Sequence, residues 1–257
     1  MNEMQEPIFL VRGAAPRCAS LRKAWNMKIG IIGAGNMGGT LTRLFRAAGH
    51  EVTVANSRGP ESLAELSAET GARAAVIEDA VRGQEVVVVA LPMNKIPSLP
   101  RELFAATPAD VVVIDTSNYY PQQRDGRLTG IEDGLTESEW VEQHLGRPVI
   151  KAFNTIEATH LQPGAKPAGS ADRIALAVAG DDARTKSKAM ALIDGIGFDA
   201  VDAGVIAESW RQQPGSPGYL KDYDVKGVRG ALAEATAERQ PEWRATPNSP
   251  GTYESPA

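Results

Sequence analysis

Apolar residues in this chain gather into short unbroken runs, with helically spaced segments between them. KIGIIG, Lys28 to Gly33, is the first run. EVTVAN (Glu51 to Asn56), ARAAV (Ala72 to Val76), EVVVVALP (Glu85 to Pro92) and DVVVIDTSN (Asp110 to Asn118) follow. PVIKAFNTI (Pro148 to Ile156) and RIALAVAG (Arg173 to Gly180) complete the set. Uninterrupted apolar runs of this length mark strands covered on both faces, as in a parallel sheet flanked by helices. Leu41, Leu44, Phe45 and Ala48 recur at helical spacing, which predicts a helix over 36–48 that Gly49 terminates. Pro60 suits the first turn of a second helix, which Gly71 closes, and Glu78 and Asp79 favour the start of a third. The alternation predicts an α/β, Rossmann-type, doubly wound and mainly parallel sheet with a small helical C-terminal part.

Two segments interrupt the rhythm. Tyr119 to Arg147 is a polar, acidic excursion in which Thr136 and Glu139 form a capping box for a helix to about Leu145. Its acidic stretch, Asp125 to Glu142, reads as a solvated face or an oligomer contact. Beyond Gly204 the chain reads as helix, Pro/Gly loop and helix. The organisation expected is a disordered extension over 1–26, a dinucleotide-binding domain over 27–155, a smaller part over 156–240 that completes an acceptor site, and a frayed tail over 241–257.

Charge and composition narrow the function. Net charge is −5 and no Lys/Arg cluster is present, which disfavours nucleic acid. No run approaches the roughly 18 apolar residues of a membrane span, so no membrane partner is expected and the expected location is cytoplasmic. A single cysteine, Cys18, and three scattered histidines offer no metal-ligand spacing, and no metal is expected.

The chemistry lies in the turn after the first strand. Gly33, Gly35 and Gly38 form G-x-G-x-x-G between a strand and an amphipathic helix, the context in which a dinucleotide pyrophosphate meets a helix N-terminus. About twenty residues on, an acid normally takes the ribose hydroxyls; here Asn56, Ser57 and Arg58 stand at the end of the second strand. Asn56 does not repel a phosphate, and a hydroxyl and a guanidinium suit the 2′-phosphate of NADP(H). Ser117 and Asn118 end one strand, and Asn154 and Thr155 another; these neutral groups can hold a carboxamide or a ring carbonyl, or simply cap turns. Lys151, inside a strand pattern, reads as an edge charge, a salt-bridge partner or a group reaching the acceptor.

GIIGAGNMGG, ANSRGPESL, VVVVALP, VIDTSN and VIKAFNTI together resemble the NADPH-dependent coenzyme F-420 reductase family, over roughly Met27 to Gly204. The resemblance implies a Rossmann domain, a smaller C-terminal part, a homodimer, and hydride exchange between NADP(H) and a small-molecule acceptor, coenzyme F-420 or a flavin. It implies that Gly33, Ala34, Gly35, Asn36 and Met37 cradle the pyrophosphate, with Ser57 and Arg58 on the 2′-phosphate. Leu91, Pro92 and Met93 would line the path from adenosine ribose to nicotinamide, with Ala152, Phe153 and Asn154 beside the nicotinamide. No catalytic residue is singled out; Asn118, Asn154 and Thr155 are the neighbours expected at the reacting rings. Family members often place Asn-Pro after the strand that here ends TSNYYP, and this chain interposes Tyr119 and Tyr120.

The G-x-x-G-x-G-x-x-x-K helix of hydroxyacid dehydrogenases is missing from the sequence. Hydride transfer to a deazaflavin or flavin mainly requires two stacked rings at contact distance. Ser209 to Tyr219, with Trp210, Gln212, Gln213 and Tyr219, is a candidate acceptor wall. Two other readings stay open: reduction of a small carbonyl or imine, with solvent, Tyr119 or Tyr120 as proton source, and a non-catalytic NADP-occupancy sensor.

Overall fold

The computed structural model describes residues 26–238 and 251–256. The reading of 1–26 as an extension therefore falls, save for Asn26, outside the described residues, as does most of the tail expected over 241–257. Six strands form one parallel sheet: β1 (Lys28–Ile32), β2 (Glu51–Ala55), β3 (Arg73–Ala75), β4 (Val86–Val89), β5 (Val112–Asp115) and β6 (Ile150–Lys151). Their order is β3-β2-β1-β4-β5-β6, so the chain reverses direction across the sheet between β1 and β4. Helix α1 (Asn36–Ala47) crosses from β1 to β2 and α2 (Ala64–Thr70) from β2 to β3, with Gly71 left-handed at its end as the sequence predicts.

The continuous apolar runs have the cause the sequence suggests. Ile29, Ile31, Val86, Val88, Val112 and Ile114 pack on one face with Leu41, Phe45 and Phe153. Ile32, Val87, Val89 and Val113 pack on the other with Ile96, Phe104 and Trp140. Side chains alternate between faces along a strand, so a central strand buried on both sides can have no polar period.

After the short helices α3 (Glu102–Ala105) and α4 (Thr129–Glu132), helix α5 (Glu137–Leu145) begins at the predicted capping box. The Glu139 N–H donates to Thr136 Oγ1 at 3.2 Å, and the Thr136 N–H to Glu139 Oε2 at 2.8 Å.

The strand expected over Pro148 to Ile156 is much shorter. It stops at Lys151 because Phe153 turns left-handed, with φ of 64°, and folds the chain back. A bulky side chain adopts that conformation only where its surroundings enforce it. Here the ring is fully buried, edge-on to Phe45 at 6.4 Å between centroids.

The C-terminal part holds α6 (Ala158–Gly164), α7 (Ala183–Gly195) and α8 (Val225–Glu234). It also carries a two-stranded parallel sheet, β7 (Ala175–Val178) and β8 (Asp199–Asp202). The run at Arg173 to Gly180 thus pairs outside the main sheet. One antiparallel bridge, Lys151 to Ala179, joins the two sheets through hydrogen bonds of 2.9 and 3.1 Å. Among the described residues, no helix is long and apolar enough to cross a membrane.

Candidate functional site

The glycine turn is shaped by close backbone approach. Gly33 has φ of 101°, and a Cβ there would stand 2.2 Å from the Ala90 carbonyl oxygen. At Gly38 a Cβ would meet the Gly33 carbonyl oxygen at 1.9 Å, so α1 can lie this near β1 only with glycine at that position. Gly35 differs: no heavy atom lies within 4 Å of its would-be Cβ. It caps α1 in extended conformation with no side-chain hydrogen bond, and the first intrahelical bond runs from Gly39 N–H to Gly35 C=O at 2.8 Å. The start of α1 at Gly35 therefore borders open space at the positive end of the helix dipole, a place that suits an anion.

Asn56 has a local role. Its Oδ1 accepts the Arg58 N–H at 2.9 Å, and its Nδ2 donates to Ser62 Oγ at 2.9 Å. This fixes the turn that presents Ser57 and Arg58, both exposed. The Arg58 guanidinium has no side-chain partner among the described residues. Other arginines are paired, Arg43 with Glu69 at 2.6 Å and Arg124 with Asp125 at 2.9 Å. A free cation beyond the second strand fits a phosphate.

A cleft of about 470 Å³ opens beside the glycine turn, at the carboxyl ends of β1, β4 and β5. Open parallel sheets bind ligands there. Gly35, Asn36, Met37, Leu91 and Pro92 form one wall. Thr116, Ser117, Asn118, Tyr120, Arg124, Asn154 and Tyr219 form the other.

The structure thus brings together Gly35, Asn36, Met37, Leu91, Pro92, Asn118 and Asn154 of the residues nominated by sequence. Gly33, Ala34 and Gly38 support the turn from behind, and Asn56, Ser57 and Arg58 lie apart at the end of β2. Met93, Ala152 and Phe153 are fully buried beneath the cleft. Thr155 faces a small internal cavity with Arg211 and Gln212. Of the candidate acceptor wall only Tyr219 reaches the cleft. Gln212 is buried, and Trp210 and Gln213 line a separate hollow beside Glu132 and Glu139.

Asn118 and Asn154 bond mainly to each other. Asn118 Nδ2 donates to the Asn154 carbonyl at 2.9 Å, and Asn154 Nδ2 donates to Asn118 Oδ1 at 3.1 Å. Asn154 Nδ2 also reaches the Gln212 carbonyl at 2.6 Å, and Gln212 Nε2 returns a bond to Asn154 Oδ1 at 3.0 Å. The three amides pin the C-terminal part to the end of β5. Ser117 is the contrast: it lines the cleft, and its Oγ is buried with no hydrogen-bond partner. Buried hydroxyls are ordinarily bonded, so this group has capacity for a ligand.

Beneath Ser117 lies a buried ionic cluster. Lys151 Nζ is 3.1 Å from Glu137 Oε2 and 3.5 Å from Asp115 Oδ2, with all three side chains inaccessible to solvent. Lys151 also donates to the Ser117 carbonyl, Asp115 Oδ1 accepts the Ser117 N–H at 2.9 Å, and Glu137 Oε1 accepts the Tyr119 N–H at 3.0 Å. Burial opposes the Lys151 ammonium, but Asp115 and Glu137 outweigh it and hold the pKa above its ordinary value. Burial raises the Glu137 pKa, and Lys151 only partly offsets it. Lys151 is therefore a salt-bridge partner that sets the backbone under the cleft. The acidic excursion is not simply a solvated face, because Asp125 and Glu137 are drawn inward by Arg124 and Lys151.

Comparison with known proteins agrees with this architecture. The profile of the family described as NADP oxidoreductase, coenzyme F420-dependent, matches residues 28–119, from β1 through the end of β5. The hypothetical protein SMa0349 from Sinorhizobium meliloti is 30% identical, with a TM-score of 0.66, over 78% of this chain and 96% of its own. A candidate F420-dependent NADP-reductase from Arthrobacter sp. FB24 shares the fold at 23% identity and a TM-score of 0.55, over 81% of this chain and 90% of that one. The protein YjhV of Escherichia coli (strain K12) is 50% identical over 79 residues, 31% of this chain, so the chain spans half the length of this curated relative. The profile thus marks residues 28–119 as a domain of the coenzyme F420-dependent NADP oxidoreductase family, and the Sinorhizobium and Arthrobacter proteins share its fold over most of this chain.

Proposed function

We propose that this protein transfers a hydride between NADPH and a deazaflavin or flavin-like acceptor. The observation that carries the reading is the continuity of the glycine turn with the cleft: Gly35, Asn36 and Met37 form one wall of the space that Ser117, Asn118 and Tyr120 close. A dinucleotide held at the turn would place its reactive ring in the same cleft as an acceptor. The open side of Gly35 and the uncapped start of α1 fit a pyrophosphate. Ser57 and Arg58, the latter without a side-chain partner among the described residues, fit a 2′-phosphate, which favours NADP(H) over NAD(H).

The coenzyme would supply the hydride. The chain's part is to orient and to exclude water. Ser117 is the free hydroxyl for a carboxamide or ring carbonyl, and the Asn118–Asn154–Gln212 amides hold that wall rigid. Asn154 lines the cleft while it bonds to Asn118 and Gln212, and Thr155 stands behind it at the internal cavity. Fluorescence titration with NADPH and NADH, followed by NADPH oxidation with coenzyme F420, FMN and FAD, tests the reading. Tighter NADPH binding and turnover with at least one ring acceptor are expected. Equal affinity for NADPH and NADH, or no binding of either, would remove it.

A further inference from the structure

Three side chains of the cleft stand close together: Tyr120, Tyr219 and Arg124. Tyr120 follows β5 and Tyr219 comes from the Pro/Gly loop of the C-terminal part, yet their hydroxyls meet. The Arg124 guanidinium carbon lies 5.0 Å from the centroid of the Tyr120 ring. Arg124 is held there by Asp125 through bonds of 2.9 Å and by the Asn118 carbonyl.

The adjacent Tyr119 is a poor proton source. Its side chain is buried away from the cleft, donating to the Gly126 carbonyl at 2.9 Å and accepting the Leu128 N–H at 3.0 Å. Glu157 stands exposed at the rim, 3.9 Å from His160. Lys151 is enclosed by Asp115 and Glu137. Tyr120 and Tyr219 both line the cleft as each other's relay partner, and Tyr120 is the one whose ring carries the Arg124 guanidinium.

We propose that Tyr120 is the general acid of this cleft, and that the acceptor carries a polarised carbon–nitrogen or carbon–oxygen double bond. That bond could stand alone in a small imine or carbonyl compound or be conjugated within a flavin-like ring. The inference rests on the NADPH half of the reading above. As the hydride joins the electrophilic atom, the electron pair of the double bond settles on the nitrogen or oxygen. The Tyr120 O–H bond breaks and that heteroatom takes the proton. NADPH becomes NADP+, the acceptor gains two electrons, and Tyr120 remains a phenolate until water reprotonates it. The Tyr219 hydroxyl and the Arg124 charge stabilise that phenolate. Burial, then the charge of Glu137, pushes the Tyr120 pKa up to about 12, so at neutral pH it holds its proton until a stronger base is formed beside it.

The test compares the full-length protein with Tyr120→Phe and Tyr219→Phe, each checked for folding by circular dichroism. NADPH affinity should be the same in all three. In the NADP+-loaded protein, FMN or a cyclic imine should bind about tenfold more weakly to Tyr120→Phe, from loss of one hydrogen bond. With NADPH and coenzyme F420, FMN, a cyclic imine or an aliphatic ketone, kcat of Tyr120→Phe should fall about a hundredfold, and that of Tyr219→Phe less. Turnover should slow in D2O for the wild type and not for Tyr120→Phe. The acceptor that responds tells an isolated double bond from a conjugated ring. Unchanged kcat and D2O sensitivity in Tyr120→Phe would overturn the proposal, as would wild-type protein that binds NADPH but reduces none of these acceptors. Failure to bind NADPH would instead strike the coenzyme reading on which this one stands.

Discussion

The two walls of the cleft are built on opposite plans. The glycine wall is unsatisfied: Gly35 faces empty space and the first turn of α1 has no side-chain cap, while Arg58, apart at the end of β2, has no side-chain partner among the described residues. The β5 wall is rich in polar groups, yet most of them bond within the protein. Asn118, Asn154 and Gln212 bond to one another, and Asp115, Glu137 and Lys151 lie sealed beneath. Polar content alone would nominate the second wall as the binding surface. Hydrogen-bond capacity points to the first, and on the second to Ser117 and Tyr120.

Substitutions can break this contrast. The largest effect is expected at Lys151, because Lys151→Ala would leave two buried carboxylates without their cation. Unfolding free energy should drop by about 3–5 kcal/mol in urea, with activity lost through folding rather than through chemistry. Arg58→Ala should leave stability unchanged and weaken NADPH by roughly 2 kcal/mol, with NADH unaffected, as paired titrations would show. Equal small losses for both coenzymes would count against the phosphate assignment.

Gly35→Ala sharpens the contrast further. The backbone there has φ of −73° and space for a Cβ, so stability should hold or rise by up to about 1 kcal/mol, while NADPH affinity falls about tenfold as the methyl meets the pyrophosphate. Ser117→Ala removes an unpartnered hydroxyl, so stability should shift by less than about 1 kcal/mol while acceptor or coenzyme affinity drops several-fold. The smallest effect at neutral pH concerns the Tyr120 phenol. Its folded pKa, about 12, lies above the ordinary 10, so the associated stability is fully present below pH 10 and is lost as pH rises toward 12. Absorbance titration at 295 nm should show two late-ionising phenols, Tyr119 and Tyr120, of which Tyr120→Phe removes one.

The sequence was most informative where physics is local. Continuous Val/Ile runs can only be strands covered on both sides, the G-x-G-x-x-G turn is set by backbone contact, and the Thr136–Glu139 box closes within four residues. It was least informative where partners are distant. Asp115 and Lys151 are 36 positions apart and Glu137 and Lys151 are 14, so nothing local marks them as one buried cluster. β8, with sequence DAVD, has too little apolar character to stand out, and β7 gave no hint that it pairs outside the main sheet. The left-handed turn at Phe153, which ends β6 early, has no glycine to announce it. Tyr119 and Tyr120 are equivalent as text; only the packed loop turns one inward and the other toward the cleft.

The single bridge between Lys151 and Ala179 has a further consequence. β6 would otherwise end the six-stranded sheet with a rim of unmet amides and carbonyls, a template onto which another chain could zip. Ala179 occupies that rim in the opposite direction, and β7 already has β8 on its other flank. Growth by strand addition is blocked where Ala179 sits, and among the described residues the strand borders left are those of β3 and β8.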